Sequence, residues 1–491
     1  MLHIRSNVKA IKQNISFSPD ESRVIAKRLH LDELRTKKII EDICNIPEEK
    51  SKKLLDEILK NFKRRHKNLK RILKNNFDKI IADLDGNDYD HLNIENKLLI
   101  GAYFTNEYSI EAAALFNPSI VADPFQNHTK PGELKVIISF RAVGEGHMSS
   151  VVFRSGILNK HGNIRMNDMS HLVEKANLIE SPEYNKKNFI MKMKELNEFE
   201  SVKDIFDQLL NDFKLKELNE AVERFKKNSQ LRKNAKQAIQ SLYWLARSNY
   251  EIEFDNSTNL SERVIFPRSQ TDIKAIEDVR FTPFNDSKEN TIYCGTYTAY
   301  NGSSILPQLL ETKDFYNFRI STLTGSGSQN KGMALFPEKI NGKYAMISRN
   351  DNVNLYIMFS DNIYHWENPQ LLREPRYEWE FIQIGNSGPP LKTEKGWLVL
   401  THAVGPMRTY TIGAILLDLN NPLIIIGEIK EPILIPKESE RNGYVPNVVY
   451  SCGGIIHNSY LILPYAASDT RSGIVKFKLN DLLENMSPPE N

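Results

Sequence analysis

Five short segments of this sequence set polar or charged side chains into otherwise apolar strand-and-turn stretches. The first, Ala275-Ile276-Glu277-Asp278-Val279-Arg280-Phe281, carries two adjacent carboxylates and an arginine. A carboxylic acid that protonates a leaving-group oxygen needs surroundings that raise its pKa, and an apolar strand end can supply them. The same residues also suit a structural Asp–Arg pair pinning a turn. The second segment is Asn330-Lys331-Gly332-Met333-Ala334-Leu335-Phe336-Pro337, followed by Arg349. Taken alone, its lysine is an ordinary surface charge. The third, Gly396-Trp397-Leu398-Val399-Leu400-Thr401-His402, has Arg408 and Tyr410 downstream. A histidine ending an apolar strand is more often a packed rim residue than a catalyst. The fourth runs from Gly443 to Tyr450 through Asn447, and the fifth from Tyr465 to Thr470 through Asp469. Each has an ordinary structural explanation, but five such interruptions are harder to dismiss than one.

Other motifs are weaker. The basic run Lys63-Arg64-Arg65-His66-Lys67, with Lys70, Arg71 and Lys74, lies on the polar side of an amphipathic helix near acidic residues. It reads as a solvated face rather than a phosphate-backbone stripe. GSGSQNKG lacks the Ser/Thr and spacing of a phosphate loop, and GEGHMS is no dinucleotide fingerprint. There is no HExxH, no CxxC and no histidine cluster at ligand spacing, so neither a metal nor another cofactor is expected.

The chain that must position these residues has 491 of them, enough for more than one domain. Hydrophobic residues make up 40% and charged residues 26%, which fits a globular protein and excludes a disordered or collagen-like chain. The net charge of +3 calls for no polyanion, so no nucleic-acid partner is expected. No run approaches the length of a membrane span, and the start MLHIRSNVKA lacks an apolar leader core, so no membrane partner is expected. Cys44, Cys294 and Cys452 are few, odd in number and widely spaced, which suits a reducing, cytoplasmic setting.

Apolar residues recur at helical spacing from about residue 30 to 95, as in Leu54, Leu55, Ile58, Leu59 and Phe62. The pattern predicts a helical N-terminal region over 1–95. Extended, β-branched runs such as LKVIISFRAV and SSVVFRSGIL follow over 96–165. Helical periodicity returns within 166–255, and 256–491 reads as short strands and turns. NGKYAMISR, KGWLVLTHA and HNSYLILPYA are variants of one theme, which favours a propeller over a sandwich. The apolar stripes of both helical regions must be covered, against each other, against the sheets, or across the interface of a homo-oligomer.

The ordered series IEDVRF, TYTAY, NKGMALFPEKINGKY, GWLVLTHAVG, YTIGAILLDL, YVPNVVYSCGG and YAASDT resembles glycoside hydrolase family 130, the β-mannoside phosphorylases and related β-mannosidases. FNPSIVADP and SFRAVGEGHMSS resemble its first blade, so the likeness covers roughly residues 110–155 and 260–480. The helical regions lie outside it. The resemblance implies a mainly β chain, a five-bladed β-propeller with an α-helical N-terminal region and a helical insertion. It implies an inverting enzyme on β-mannosides, with Asp278 as the general acid acting through a sugar hydroxyl while inorganic phosphate attacks the anomeric carbon. Lys331 and His402 match phosphate-holding positions, Tyr410 falls near a tyrosine that does the same, and Arg349 and Arg408 lie close enough in sequence to join them. Asp469 matches an aspartate that hydrogen-bonds the mannosyl unit, Arg141 a first-blade arginine lining the pocket, and Arg280 and Asn447 complete the expected sugar site. Phosphate is then a co-substrate, and no cofactor is needed.

Two departures from the family pattern matter. Valine at 279 replaces a proline, and the arginine common after the T-A-Y segment is absent from Asn301-Gly302-Ser303-Ser304-Ile305-Leu306-Pro307-Gln308. Arg319, Arg349 or Arg408 could supply that charge in space. Hydrolytic members use carboxylates to activate water, for which Glu311, Glu438 and Glu440 are candidates. From another class, a non-catalytic carbohydrate-binding propeller would need no acid at Asp278.

Overall fold

The computed structural model describes residues 8–84, 89, 91–179, 182–228, 233–287 and 290–489. The chain is mostly β, and its long strands form antiparallel groups in sequence order. The first group is Ala114–Ala122, Leu134–Val143 and Ser149–Leu158, edged by Ile164–Met166. The second is Ala275–Ser287, Asn290–Tyr300, Ile305–Thr312 and Asn317–Thr322. A parallel contact between Ala275 and Ser149 joins these two groups into one continuous sheet. A third group runs through Ala334–Leu335, Tyr344–Ser348, Leu355–Ser360 and Gln370–Arg373. The fourth is Gln383–Asn386, Trp397–Gly405, Thr409–Leu417 and Ile425–Glu428. The fifth is Val449–Tyr450, Tyr460–Ala467 and Arg471–Lys478.

Central strands such as Trp397–Gly405 are buried along their whole length. That burial explains their continuous rather than alternating apolar pattern. Large clusters fill the space between neighbouring sheets. Ile347, Ile357 and Phe336 of the third pack on Trp397, Val399 and Ile415 of the fourth. Leu400 and Ile412 of the fourth pack on Leu463 and Val475 of the fifth.

The region 1–95 is not uniformly helical, contrary to the sequence pattern. Ile11–Phe17 forms the outer strand of the fifth sheet, with Ile11 opposite Lys476. Val24–Arg28 pairs with Thr105–Ser109. Neither strand announces itself, because KQNISF is a polar edge whose partner lies at the far end of the chain. Helices Glu33–Cys44, Glu48–Phe62, Leu69–Asp83 and Ile94–Tyr103 follow. Asp32 and Asn93 cap two of them by accepting from the backbone N–H of Arg35 and Asn96. These helices build a core of their own from Ile40, Ile43, Phe77, Ile80, Leu99 and Phe104. Gly101 permits a close approach of two of these helices, since a Cβ there would lie 2.0 Å from the Leu73 carbonyl oxygen.

The segment 166–255 likewise mixes helices with short strands. Lys186–Glu195, Lys203–Asp207, Leu215–Asn228 and Lys233–Ser248 enclose a separate core that includes Met193, Phe206, Val222 and Leu242. Tyr250–Glu253 then adds to the outer edge of the second sheet, with Ile252 opposite Phe318. Each helical region therefore buries apolar residues in a core of its own. Among the described residues no helix is long and apolar enough to cross a membrane.

Candidate active site

The first strands of the first and second sheets each carry a bulge. Register shifts between Phe116 and Ser119 in one, and between Glu277 and Arg280 in the other. Asn117 and Asp278 sit at these bulges with φ of 48° and 56°. Asn and Asp tolerate that left-handed conformation better than most residues, and a bulge re-aims its side chain. Here the two side chains meet, with Asn117 Nδ2 donating to Asp278 Oδ1 at 2.7 Å. Arg141, whose guanidinium lies over the Phe116 ring, donates to Glu277 Oε1 at 2.9 Å and makes a longer 3.5 Å contact with Asp278 Oδ1. Arg280 donates to the Asp278 carbonyl at 2.9 Å and to the Tyr450 hydroxyl at 2.5 Å.

These neighbours set the charge state. Burial alone would push the Asp278 carboxyl up. Arg141, Arg280, the Asn117 hydrogen bond and Lys331 outweigh burial and hold it below the usual carboxylate range. Asp469 goes the other way. Its burial and the repulsion from Asp278 push it up to about 6, against the pull of Arg141 and Arg408. The two carboxyl groups of one site are thus driven apart in acidity, a pattern typical of functional pairs.

A second cluster is built around His402, which is 1% exposed. Its Nδ1 lies 2.8 Å from the Asn386 carbonyl oxygen, and its Nε2 lies 3.1 Å from Arg349 Nη1. A carbonyl can only accept, so Nδ1 carries the proton and Nε2 accepts from the guanidinium. Burial and then the Arg349 charge push the imidazole well below its usual pKa, so it is neutral. Gly385 leaves the room for this ring, because a Cβ there would lie 2.5 Å from His402 Cε1. The Tyr410 ring is nearly parallel to the imidazole at a 6.2 Å centroid distance.

Both clusters open on one cavity of about 310 Å³. Arg141, Asp278, Arg349, His402, Arg408, Tyr410 and Asp469 all line it. Three residues expected in the site do not. Lys331 points its ammonium at Glu277 Oε2, 2.6 Å away. Arg280 lies behind Asp278, and Asn447 contributes its backbone carbonyl to the Tyr410 N–H at 3.0 Å. Of the three arginines considered for the charge missing after Tyr300, Arg349 and Arg408 line the cavity, whereas Arg319 sits on an outer strand paired with Glu251 at 2.7 Å.

The three glutamates considered as water-activating bases lie elsewhere. Glu311 accepts from the Tyr364 hydroxyl at 2.9 Å, and Glu440 accepts from Lys12 and, at 2.6 Å, from the Tyr465 hydroxyl. Glu438 begins the short turn Glu438–Glu440. Among the described residues the cavity's carboxylates are Asp278 and Asp469. No group of three or more His, Cys, Asp or Glu among them is placed to hold a metal ion.

Asn117, Tyr444 and Tyr450 also line the cavity and were not singled out from sequence. The signals were present: Asn117 precedes a proline within FNPSIV, and both tyrosines belong to the segment from Gly443 to Tyr450.

The family model described as beta-1,4-mannooligosaccharide phosphorylase matches residues 228–487. The match takes in more than half of the chain, and the chain belongs to glycoside hydrolase family 130. It is 31% identical over 253 residues to a 1,2-beta-oligomannan phosphorylase of Thermoanaerobacter sp. (strain X514), covering 49% of this chain and 81% of that one. It is 31% identical over 229 residues to a beta-1,2-mannobiose phosphorylase of Listeria innocua, covering 45% and 63%. Among solved structures, the Listeria innocua beta-1,2-mannobiose phosphorylase in complex with beta-1,2-mannobiose aligns at a TM-score of 0.46 and 23% identity, covering 77% of this chain and 92% of that one.

Proposed function

We propose that this cavity carries out inverting phosphorolysis of a β-mannoside, releasing mannose 1-phosphate. One observation carries the reading: the cavity joins an acid, Asp278, to the cationic and hydroxyl donors Arg349, Arg408 and Tyr410, with Asp469 as its other carboxylate. A phosphate nucleophile is already charged. It needs donors to hold it and no carboxylate base, whereas activating water would need such a base.

In this reading Arg141 and Asp469 hold the mannosyl unit. Asp278 passes its proton through a sugar hydroxyl to the leaving oxygen as the glycosidic C–O bond breaks. A phosphate oxygen forms the new bond to the anomeric carbon from the opposite face. His402 orients Arg349 by accepting from it and adds no charge of its own. Bound phosphate would offset the positive field that keeps Asp278 ionised, so the acid gains its proton when the nucleophile is in place. Lys331 acts through Glu277, which also engages Arg141.

We read the five antiparallel groups as blades of a five-bladed propeller, the last closed by Ile11–Phe17 from the other end of the chain. The helical segments are additions at its edges, and a cytoplasmic setting suits the free thiols. The names of the two relatives favour a β-1,2 linkage.

Incubation with β-1,2- and β-1,4-mannobiose, with and without phosphate, tests the reading. Mannose 1-phosphate should form only when phosphate is present. Release of free mannose at full rate without phosphate overturns the assignment.

A further inference from the structure

A second cavity, of about 390 Å³, shares no lining residue with the first. One wall is the helical insertion, through Glu183, Asn188 and Asp212. The other is the outer edge of the second sheet, through Glu251, Arg319 and Ser321, with Asn362 and Tyr364 from the turn after Leu355–Ser360. The insertion is fixed there: Asn362 Nδ2 donates to Asn188 Oδ1 at 3.1 Å, and the Gly325 N–H donates to Glu195 Oε2 at 2.9 Å.

The chemistry of the walls narrows the ligand. Three carboxylates, Glu183, Asp212 and Glu251, share the lining with one guanidinium, Arg319, so an anion is disfavoured. No metal-binding group of His, Cys, Asp or Glu occurs among the described residues. What remains is a mixture of acceptors and donors at close spacing, beside the half-buried ring of Tyr364, whose hydroxyl is spent on Glu311. Arg319 uses Nε on Glu251, and Asn185 uses its amide on Asp212 Oδ1 at 3.0 Å, leaving the Arg319 terminal nitrogens and Asp212 Oδ2. Interleaved donors and acceptors next to an aromatic face suit a neutral polyhydroxylated ring, which offers both kinds of group on its edge and C–H bonds on its face.

We propose that this cleft is a second, non-catalytic saccharide-binding site, created where the helical insertion docks on the outer edge of the second sheet. It takes a neutral hexose unit and holds a glycan on the enzyme away from the reacting centre.

The test does not depend on the reaction. In phosphate-free buffer the full chain is titrated calorimetrically with β-1,2-mannobiose, cellobiose and maltose, with inorganic phosphate and a simple amine as contrasting probes. At least one sugar should bind with a site that Arg319→Ala and Asn188→Ala each weaken tenfold or more, while turnover of mannobiose stays unchanged. In the unaltered protein, hydrogen exchange of residues 182–189 and 317–322 should slow when that sugar is added. Absence of this protection, binding unaffected by both substitutions, or a preference for phosphate or amine over every sugar overturns the proposal. Failure of phosphorolysis with this binding intact would count against the catalytic reading alone.

Discussion

Asn117 donates to Asp278 across 161 residues of sequence, and both residues hold left-handed backbone conformations at bulges in the first strands of two successive groups. Two local distortions are thus matched so that one amide fixes one carboxylate. Replacing Asp278 by Asn should lower the rate at least about a hundredfold, the usual scale of general acid catalysis, while the protein still folds with a somewhat lower melting temperature, since its cations lose their anion. Asn117→Ala should lower the rate less, because the carboxylate survives but loses a partner. Near-normal turnover of Asp278→Asn would remove that residue from the mechanism.

The phosphate contacts can be ranked by kinetics. Arg349 and Arg408 line the cavity, whereas Lys331 is tied to Glu277. A charge-assisted contact contributes about 1.5–3 kcal/mol, so Arg349→Ala and Arg408→Ala should each raise the KM for phosphate about ten- to a hundredfold. Lys331→Ala should affect the mannoside KM and the rate more than the phosphate KM. A Lys331→Ala variant whose defect lies wholly in phosphate KM would show that the lysine leaves Glu277 to bind the anion.

Gly385 offers a packing route to the same site. Adding a methyl there would place it 2.5 Å from His402 Cε1 and 2.8 Å from Nε2. Gly385→Ala should therefore cost about 1–3 kcal/mol in unfolding free energy and weaken phosphate use by displacing Arg349. Unchanged stability and kinetics would mean that the ring has slack the packing does not reveal.

Asp469 should leave a mark on pH-dependent stability. Its carboxyl rises from an ordinary 3.8 to about 6 on folding, which corresponds to about 3 kcal/mol. A raised carboxyl favours the folded state fully below about pH 3.8, and that contribution is lost as pH climbs through about 6. Asp469→Asn cannot ionise, so its stability relative to the unaltered protein should grow between pH 4 and pH 7. Urea unfolding at both ends of that range reads the difference. An equal difference at both would place the carboxyl in an unperturbed environment.

A buried charge cluster ties the N-terminal segment to the first sheet. Arg23 Nε and Arg154 Nη2 each donate to Glu111 Oε1 at 2.8 Å, and both Arg23 and Glu111 are fully buried. Glu111→Ala would strand two buried guanidinium groups and should cost about 3–5 kcal/mol. Unfolding midpoints would measure it, and a loss under about 1 kcal/mol would mean that water replaces the carboxylate.

What was legible in the sequence was whatever local pattern controls. β-branched runs between turns marked the strands, and three-and-four spacing marked most of the helices. Polar interruptions such as Asp278, His402 and Asp469 stood out because they break apolar runs. The segments around them carried the family likeness in order. What the sequence withheld depends on partners far along the chain. Ile11–Phe17 is a strand because Arg471–Lys478 offers it an edge, and its own residues have no strong preference. Glu277 draws Lys331 away from the cavity, and Asn386 and Arg349 settle which nitrogen of His402 bears the proton. The acidities of Asp278 and Asp469 part because one lies among cations and the other is half-buried and repelled by the first. Residue types and spacing determined which side chains could do chemistry; only the tertiary structure decided their charge and partners, since electrostatic and hydrogen-bond energies depend on distance through space rather than along the chain.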